Sequence, residues 1–335
     1  MYLFQINKTY LSILSLCLAA IIHPTYLIHS GFLLIGYSFY LICYKNYREF
    51  VKINLFYIIL ITPIVIYIYH NILVFDNNIN YQGQSILYDF RIPHHANINS
   101  WISYKDFQSL LLMIASLYLI RNFKTLYVPM ITVFILSIGL TVLQFFFENK
   151  FIGLLFPWRS SVFLVPLSSL IIMSFILNYF NKFNIDKYFY IPVILLIFLI
   201  YQKKLYYFTY NTEISRNEIQ VINFLKSNSK LFEKMLIPIT FPEVRLNTGI
   251  PIFVDWKIHP YKNDELINWK IRIDLVRKFY NTDQNQAQLI LGKIDKIDNI
   301  SHILLDNSKS LNFKKCKNLI ENNKYSLFDA NCIRK

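Results

Sequence analysis

A membrane-embedded all-α bundle of about seven helices, followed by a small soluble α/β domain, is the fold class this sequence predicts. Three observations carry the prediction. The 335 residues are 55% hydrophobic and 17% aromatic but only 16% charged, well under the quarter or so usual in soluble domains. Apolar stretches of membrane-spanning length recur through the first two-thirds of the chain. Charged residues gather in the last third, where short apolar runs alternate with amphipathic ones.

The first apolar stretch, Leu11 to Tyr44, is too long for one crossing, and His23-Pro24 divides it. Proline lacks an amide donor and disfavours helix at the residue before it. A short span ending near Ile22 and a second from about Tyr26 to Tyr44 follow as a hairpin. Further spans are expected at Val51–Tyr69, Phe107–Ile120, Leu126–Phe147, Ser160–Tyr179 and Tyr188–Tyr201, several with interfacial tyrosines at their ends. No signal-peptide cleavage site is convincing, so the first span is expected to stay. The transmembrane domain is assigned to residues 1–203 and the soluble domain to 204–335.

Lys and Arg in short loops set orientation. With the N-terminus inside, the cytoplasmic loops hold Lys45, Arg48, Lys52, Arg121, Lys124, Lys182 and Lys187. The outer segments hold Arg91, Lys105, Lys150, Arg159, Lys203 and Lys204. This majority of one places the tail and the longest loop, Asn71 to Asp106, outside a plasma (inner) membrane. The net charge of +14 contains no run of five basic residues, so membrane lipid rather than nucleic acid is the expected partner.

In the tail, Ile214–Ser227 and Asp264–Tyr280 read as helices, the second capped by Asp264 or Asn263. Met235–Thr240, Pro251–Asp255, His302–Asp306 and Tyr325–Phe328 read as strands, suggesting a largely parallel sheet. Cys17 and Cys43 lie in spans and are expected to be inert thiols. Cys316 and Cys332 can form a disulfide if the tail lies outside the cytoplasm; the sequence leaves their pairing open.

The densest chemistry is Asp89-Phe-Arg-Ile-Pro-His-His-Ala in the long outer loop. Asp89, His94 and His95 are candidate catalytic residues, because imidazole transfers protons near neutrality. Arg91 is a candidate ligand for a phosphate or carboxylate. The competing reading has these side chains pinning the loop to the bundle. Trp158 and Arg159, in Phe156-Pro-Trp-Arg-Ser-Ser, suit a lipid phosphate or an interfacial anchor. In the tail, Arg245, Asp255 and Lys257 are either ligand groups at a sheet edge or partners of one another. P-loop, GxGxxG, HExxH and GxSxG motifs are missing. Adjacent histidines rarely share one ion, so neither cofactor nor metal is expected. Few charges lie inside the spans, which disfavours an ion-coupled transporter.

The stretch FPEVRLNTGIPIFVDWKIHPYKNDELINWKIRI, with the RIPHH and PWRSS segments, resembles a bacterial group of polytopic membrane proteins. That group is itself similar to GT-C glycosyltransferases, which take sugars from polyprenyl-phosphate donors outside the cytoplasm. The resemblance implies a polyprenyl-phosphate-linked sugar as substrate. It also implies a chain matching the C-terminal portion of such enzymes, with an N-terminal partner chain supplying the rest. GT-C enzymes carry an acidic residue in their first outer loop, whereas His23 to His29 contains none. Two readings therefore stand: a membrane glycosyltransferase with Asp89 as base, or a non-catalytic subunit whose tail binds a partner or an envelope glycan.

Overall fold

The computed structural model describes residues 1–70, 77–181, 215–308, 311, 313 and 316–334. The chain divides into two compact units, Met1–Lys187 and Tyr188–Lys335. The expected span at Tyr188–Tyr201 lies outside the described residues.

Among its described residues the first unit holds six long apolar helices: α1 (Thr9–Ile22), α2 (Leu27–Cys43), α3 (Tyr47–Ile68), α4 (Tyr104–Leu119), α5 (Lys124–Phe147) and α6 (Ser161–Asn181). Among the described residues, four helical stretches are long and apolar enough to cross a membrane: Pro24–Cys43, Tyr47–Ile68, Lys124–Phe147 and Lys150–Tyr179. At 1.5 Å per residue, α1 spans only about 21 Å and α4 about 24 Å, short of a hydrocarbon core of about 30 Å. Large apolar side chains face outward, with Ile59 69% and Leu170 65% exposed, as a lipid solvent permits.

Polar side chains face inward and bond between helices. Ser30 pairs with Tyr57 (2.7 Å) and Ser116 with Ser168 (2.8 Å), while the Asn54 amide donates to Ser38 (2.9 Å). Such pairs, with small residues, hold helices together where lipid removes the hydrophobic drive. α2 packs most extensively on α5. Gly36 makes that approach possible, because a Cβ there would lie 2.7 Å from the Pro129 Cα.

The segment read as a long loop up to Asp106 is largely helical where described. It forms helical turns over Asn77–Ser85, Ile86–Arg91, Pro93–Ala96 and Ile98–Trp101. Two contacts seat it on the bundle. The wholly buried Gln144 of α5 donates its Nε2 to the Ala96 carbonyl. A Cβ on Gly153 would come within 2.8 Å of that same carbonyl. Gln144 and Gly153 thus hold this segment, together with the ion pair from Lys150 to Asp89.

The second unit contains α7 (Arg216–Ser227), β1 (Met235–Leu236), α8 (Glu243–Thr248), α9 (Asn263–Tyr280), α10 (Gln284–Asp295), β2 (His302–Asp306), β3 (Ile320–Glu321), β4 (Tyr325–Asp329) and α11 (Ala330–Arg334). Ser215 and Glu218 form a capping box at the start of α7. The sheet runs β1-β2-β4-β3 and is mixed. β1 and β2 are parallel, but β2/β4 and β3/β4 are antiparallel. This corrects the largely parallel expectation: the link from β2 to β4 has no described helix to carry a crossover, so the chain folds straight back. The expected strand at 251–255 shrinks to a single parallel bridge between Met235 and Ile252. Cys316 and Cys332 are joined in a disulfide, their Cα atoms 5.7 Å apart. Cys17 is a buried free thiol, whereas Cys43 is free and exposed.

Candidate functional site: a cleft at one end of the bundle

The sequence supplies a sharp turn before α6. Phe156 adopts left-handed backbone angles (φ 52°, ψ 60°) immediately before Pro157. That region is unfavourable for a bulky L-residue, and such outliers gather at functional sites. The turn Pro157–Ser160 is then tied to α5 by the Ser137–Ser160 hydroxyl pair (2.6 Å). Trp158 and Arg159 are thereby presented beside the start of α4.

A cleft of about 220 Å³ opens there, lined by His94, His95, Trp101, Asp106, Trp158 and Arg159 among others. The RIPHH and PWRSS segments, some 60 residues apart in sequence, thus meet at one site. Trp101 and Trp158 stack at 6.0 Å with ring planes 12° apart. The Arg159 guanidinium lies over the rings of Tyr26 (5.1 Å) and Phe156 (5.9 Å), the cation–π arrangement that suits arginine.

The cleft's one lining carboxylate is already satisfied. Asp106 Oδ2 accepts from the Ser103 backbone N–H (3.0 Å) and hydroxyl (2.6 Å), and Oδ1 accepts from Trp158 Nε1–H (2.9 Å). Two buried donors remain without a hydrogen-bond partner among the described residues: Arg159 Nε and Trp101 Nε1. Unsatisfied buried donors are costly, and two of them on residues lining one cleft call for an acceptor.

Beside them, the His94 and His95 rings lie 4.2 Å apart. Burial, followed by His94, Arg159 and Arg91, holds the His95 imidazole below its ordinary value, so it is neutral at physiological pH. Arg91 is electrostatically felt by His95 but is not among the residues lining the cleft.

The structure moves Asp89 away from this group. Its carboxylate forms an ion pair with Lys150 (2.6 Å) and accepts from the Ser85 hydroxyl (2.9 Å). It lines a separate cavity with Gln144 and Glu148. The reason is helical phase: Asp89 sits one turn from Ser85, facing Lys150, while His94 and His95 follow a break at Ile92-Pro93. Sequence reading missed Trp101 and Asp106. The signal for Asp106 is the Ser103-x-x-Asp106 cap spacing, which fixes a carboxylate at a helix start.

The tail candidates sit together. Asp255, 6% exposed, caps its own turn by accepting from the Lys257 N–H (2.7 Å) and faces Arg245 at 3.8 Å. Lys257 reaches Glu243 (3.4 Å), and the Asp255 carbonyl accepts from Trp269 Nε1–H (2.8 Å). Arg245 therefore faces Asp255 as a pair, while the Lys257 side chain turns to Glu243.

A family model described as a domain of unknown function, DUF6798, matches residues 216–276, from α7 through most of α9. That segment contains Arg245, Asp255, Lys257 and Trp269 but none of the cleft. No curated protein matches the chain.

Proposed function

We propose that the cleft holds the phosphate of a polyprenyl-phosphate-linked sugar at the extracytoplasmic membrane surface, in a GT-C-like glycosyltransferase. The observation that carries this reading is the pair of buried, unpartnered donors, Arg159 Nε and Trp101 Nε1, in a cleft whose own carboxylate is saturated. The donors would bind the phosphate and stabilise the charge that collects on it as the sugar leaves. Neutral His95 beside them would donate a hydrogen bond or take up a proton. The apolar faces of the neighbouring spans suit a prenyl tail.

The disulfide between Cys316 and Cys332 supports an extracytoplasmic tail, since such bonds persist in oxidising compartments. A second reading, a binding subunit without catalysis, is favoured by the carboxylates: Asp89 is engaged by Lys150, and Asp106 by Ser103 and Trp158. In that case the cleft would bind the lipid phosphate for a partner chain.

Reconstituted protein should bind polyprenyl phosphate about tenfold or more tightly than the neutral polyprenol, and Arg159→Ala should erase the difference. Equal binding of the two lipids would sink the proposal. Transfer of radiolabelled sugar to any acceptor would then separate the enzyme from the subunit. Sidedness is tested by single cysteines at the exposed Asn285 and Lys45, with Cys17 and Cys43 replaced by serine. An impermeant maleimide on intact cells should label the tail position alone.

A further inference from the structure

The segment that walls the phosphate cleft with His94 and His95 turns its following residues toward a second cavity, of about 280 Å³. That volume lies just under the range typical of small-molecule sites. Its polar lining comprises Asp89, Asn97, Asn99, Gln144, Glu148 and Lys150.

Two groups there keep hydrogen-bonding capacity that the described residues do not use. Gln144 is wholly buried, and with Nε2 donated to Ala96 its Oε1 has no hydrogen-bond partner among the described residues. Glu148 ends α5 in left-handed backbone conformation (φ 46°, ψ 29°). Its carboxylate makes no hydrogen bond or ion pair with the described residues, unlike Asp89 and Asp106. A glutamate held in a region that glycine or asparagine adopts more easily, at the rim of a cavity, is an outlier of the kind found at ligand sites.

The chemistry of the lining excludes most ligand classes. The Glu148 carboxylate, unpaired among the described residues, repels an anion. Lys150 already neutralises Asp89, and no cluster of three acidic, histidine or cysteine side chains able to hold a metal occurs among the described residues. Amides and carboxylates make a poor wall for an apolar ligand. What matches is a neutral molecule dense in hydroxyls: Asn97 and Asn99 both donate and accept, Glu148 accepts, and the exposed Phe145 ring offers a face to C–H groups.

We infer that this second cavity is a carbohydrate-binding site, with Glu148 accepting hydrogen bonds from sugar hydroxyls. As a carbohydrate site it stands apart from the phosphate cleft. As the seat of the acceptor sugar it rests on the transferase reading: Glu148 takes the acceptor hydroxyl's proton, that oxygen bonds the anomeric carbon, and the carbon's bond to the lipid phosphate breaks, the phosphate leaving with the electron pair.

The test is saturation-transfer NMR on the full chain in nanodiscs, with a panel of methyl hexopyranosides as probes. At least one glycoside should show transfer, and Glu148→Gln and Asn99→Ala should each weaken it by about tenfold. Arg159→Ala should leave it unchanged while losing polyprenyl phosphate, so failure of one site is distinguishable from failure of the other. Glu148 and Asn99 are exposed and carry no fold contacts that their replacement would break beyond the Asn99 backbone. Transfer absent from every glycoside, or unaltered by both substitutions, would overturn the proposal, as would a requirement for added divalent metal.

Discussion

The two units treat charge in opposite ways. Ion pairs between described residues crowd the tail, which holds eight, whereas Lys150–Asp89 lies in the bundle. In the tail, Lys234 and Arg272 converge on Asp298, Lys324 bonds Glu218, and Arg334 clamps Asp295. Burial alone would raise the Glu218 carboxyl, but hydrogen bonds from Lys324 and Ser215 overcome it and hold the group below its ordinary value. The bundle is sparing with polar groups, yet it leaves Arg159, Trp101 and Gln144 with unused hydrogen-bonding atoms at one end. Ion pairs between described residues serve the fold of the tail, whereas Arg159, Trp101 and Gln144 keep unused atoms on residues that line two recesses of the bundle.

The largest expected effect sharpens the tail half of this contrast. Replacing Cys316 and Cys332 by serine opens a cross-link over 16 residues, which should cost the tail about 3 kcal/mol. Denaturant unfolding with and without reductant checks this, and the cleft should bind lipid phosphate as before. Next, Arg159→Ala should weaken polyprenyl phosphate binding by about thirtyfold, near 2 kcal/mol, without moving the thermal midpoint of the tail.

A smaller effect concerns pH. A bound phosphate raises the depressed His95 value, so binding should strengthen about threefold as pH falls from about 7 to about 5.5, and His95→Gln should flatten that profile. Without ligand the sign reverses. The stability owed to neutral His95 is fully present above the ordinary histidine range and fades as pH drops through the lowered value. The smallest effect would break the contrast if it proved large. Arg245→Ala removes a half-exposed partner 3.8 Å from Asp255, and should change stability by about 1 kcal/mol or less and leave both cavities' binding untouched.

Much of this was legible in the residues. Hydropathy located all six described apolar helices, because lipid-facing helices need apolar surface on every side and leave a long signal. The pairing of RIPHH with PWRSS followed from placing both segments at span ends expected on one face of the membrane. Asp89 was misread because proximity in sequence is not proximity in space: four residues and a proline turn it to a different cavity. The antiparallel return of β4 was missed because strand patterns carry no direction. Here the cue was negative, a 307–324 link with no helical periodicity. Helix α10 escaped notice because polar glutamine and asparagine crowd its first turn and mask the buried Ala287, Leu291 and Ile294.

Gly153 and Gln144 meet the same carbonyl, that of Ala96, from neighbouring elements. The residues on one side of that carbonyl line the cleft beside α4, and those on the other line the second cavity. One added methyl group at position 153 would therefore act like a wedge under a lever's pivot. Both recesses would deform together, so a population carrying such a change would inherit a double defect from a single codon, with no residue of either recess altered.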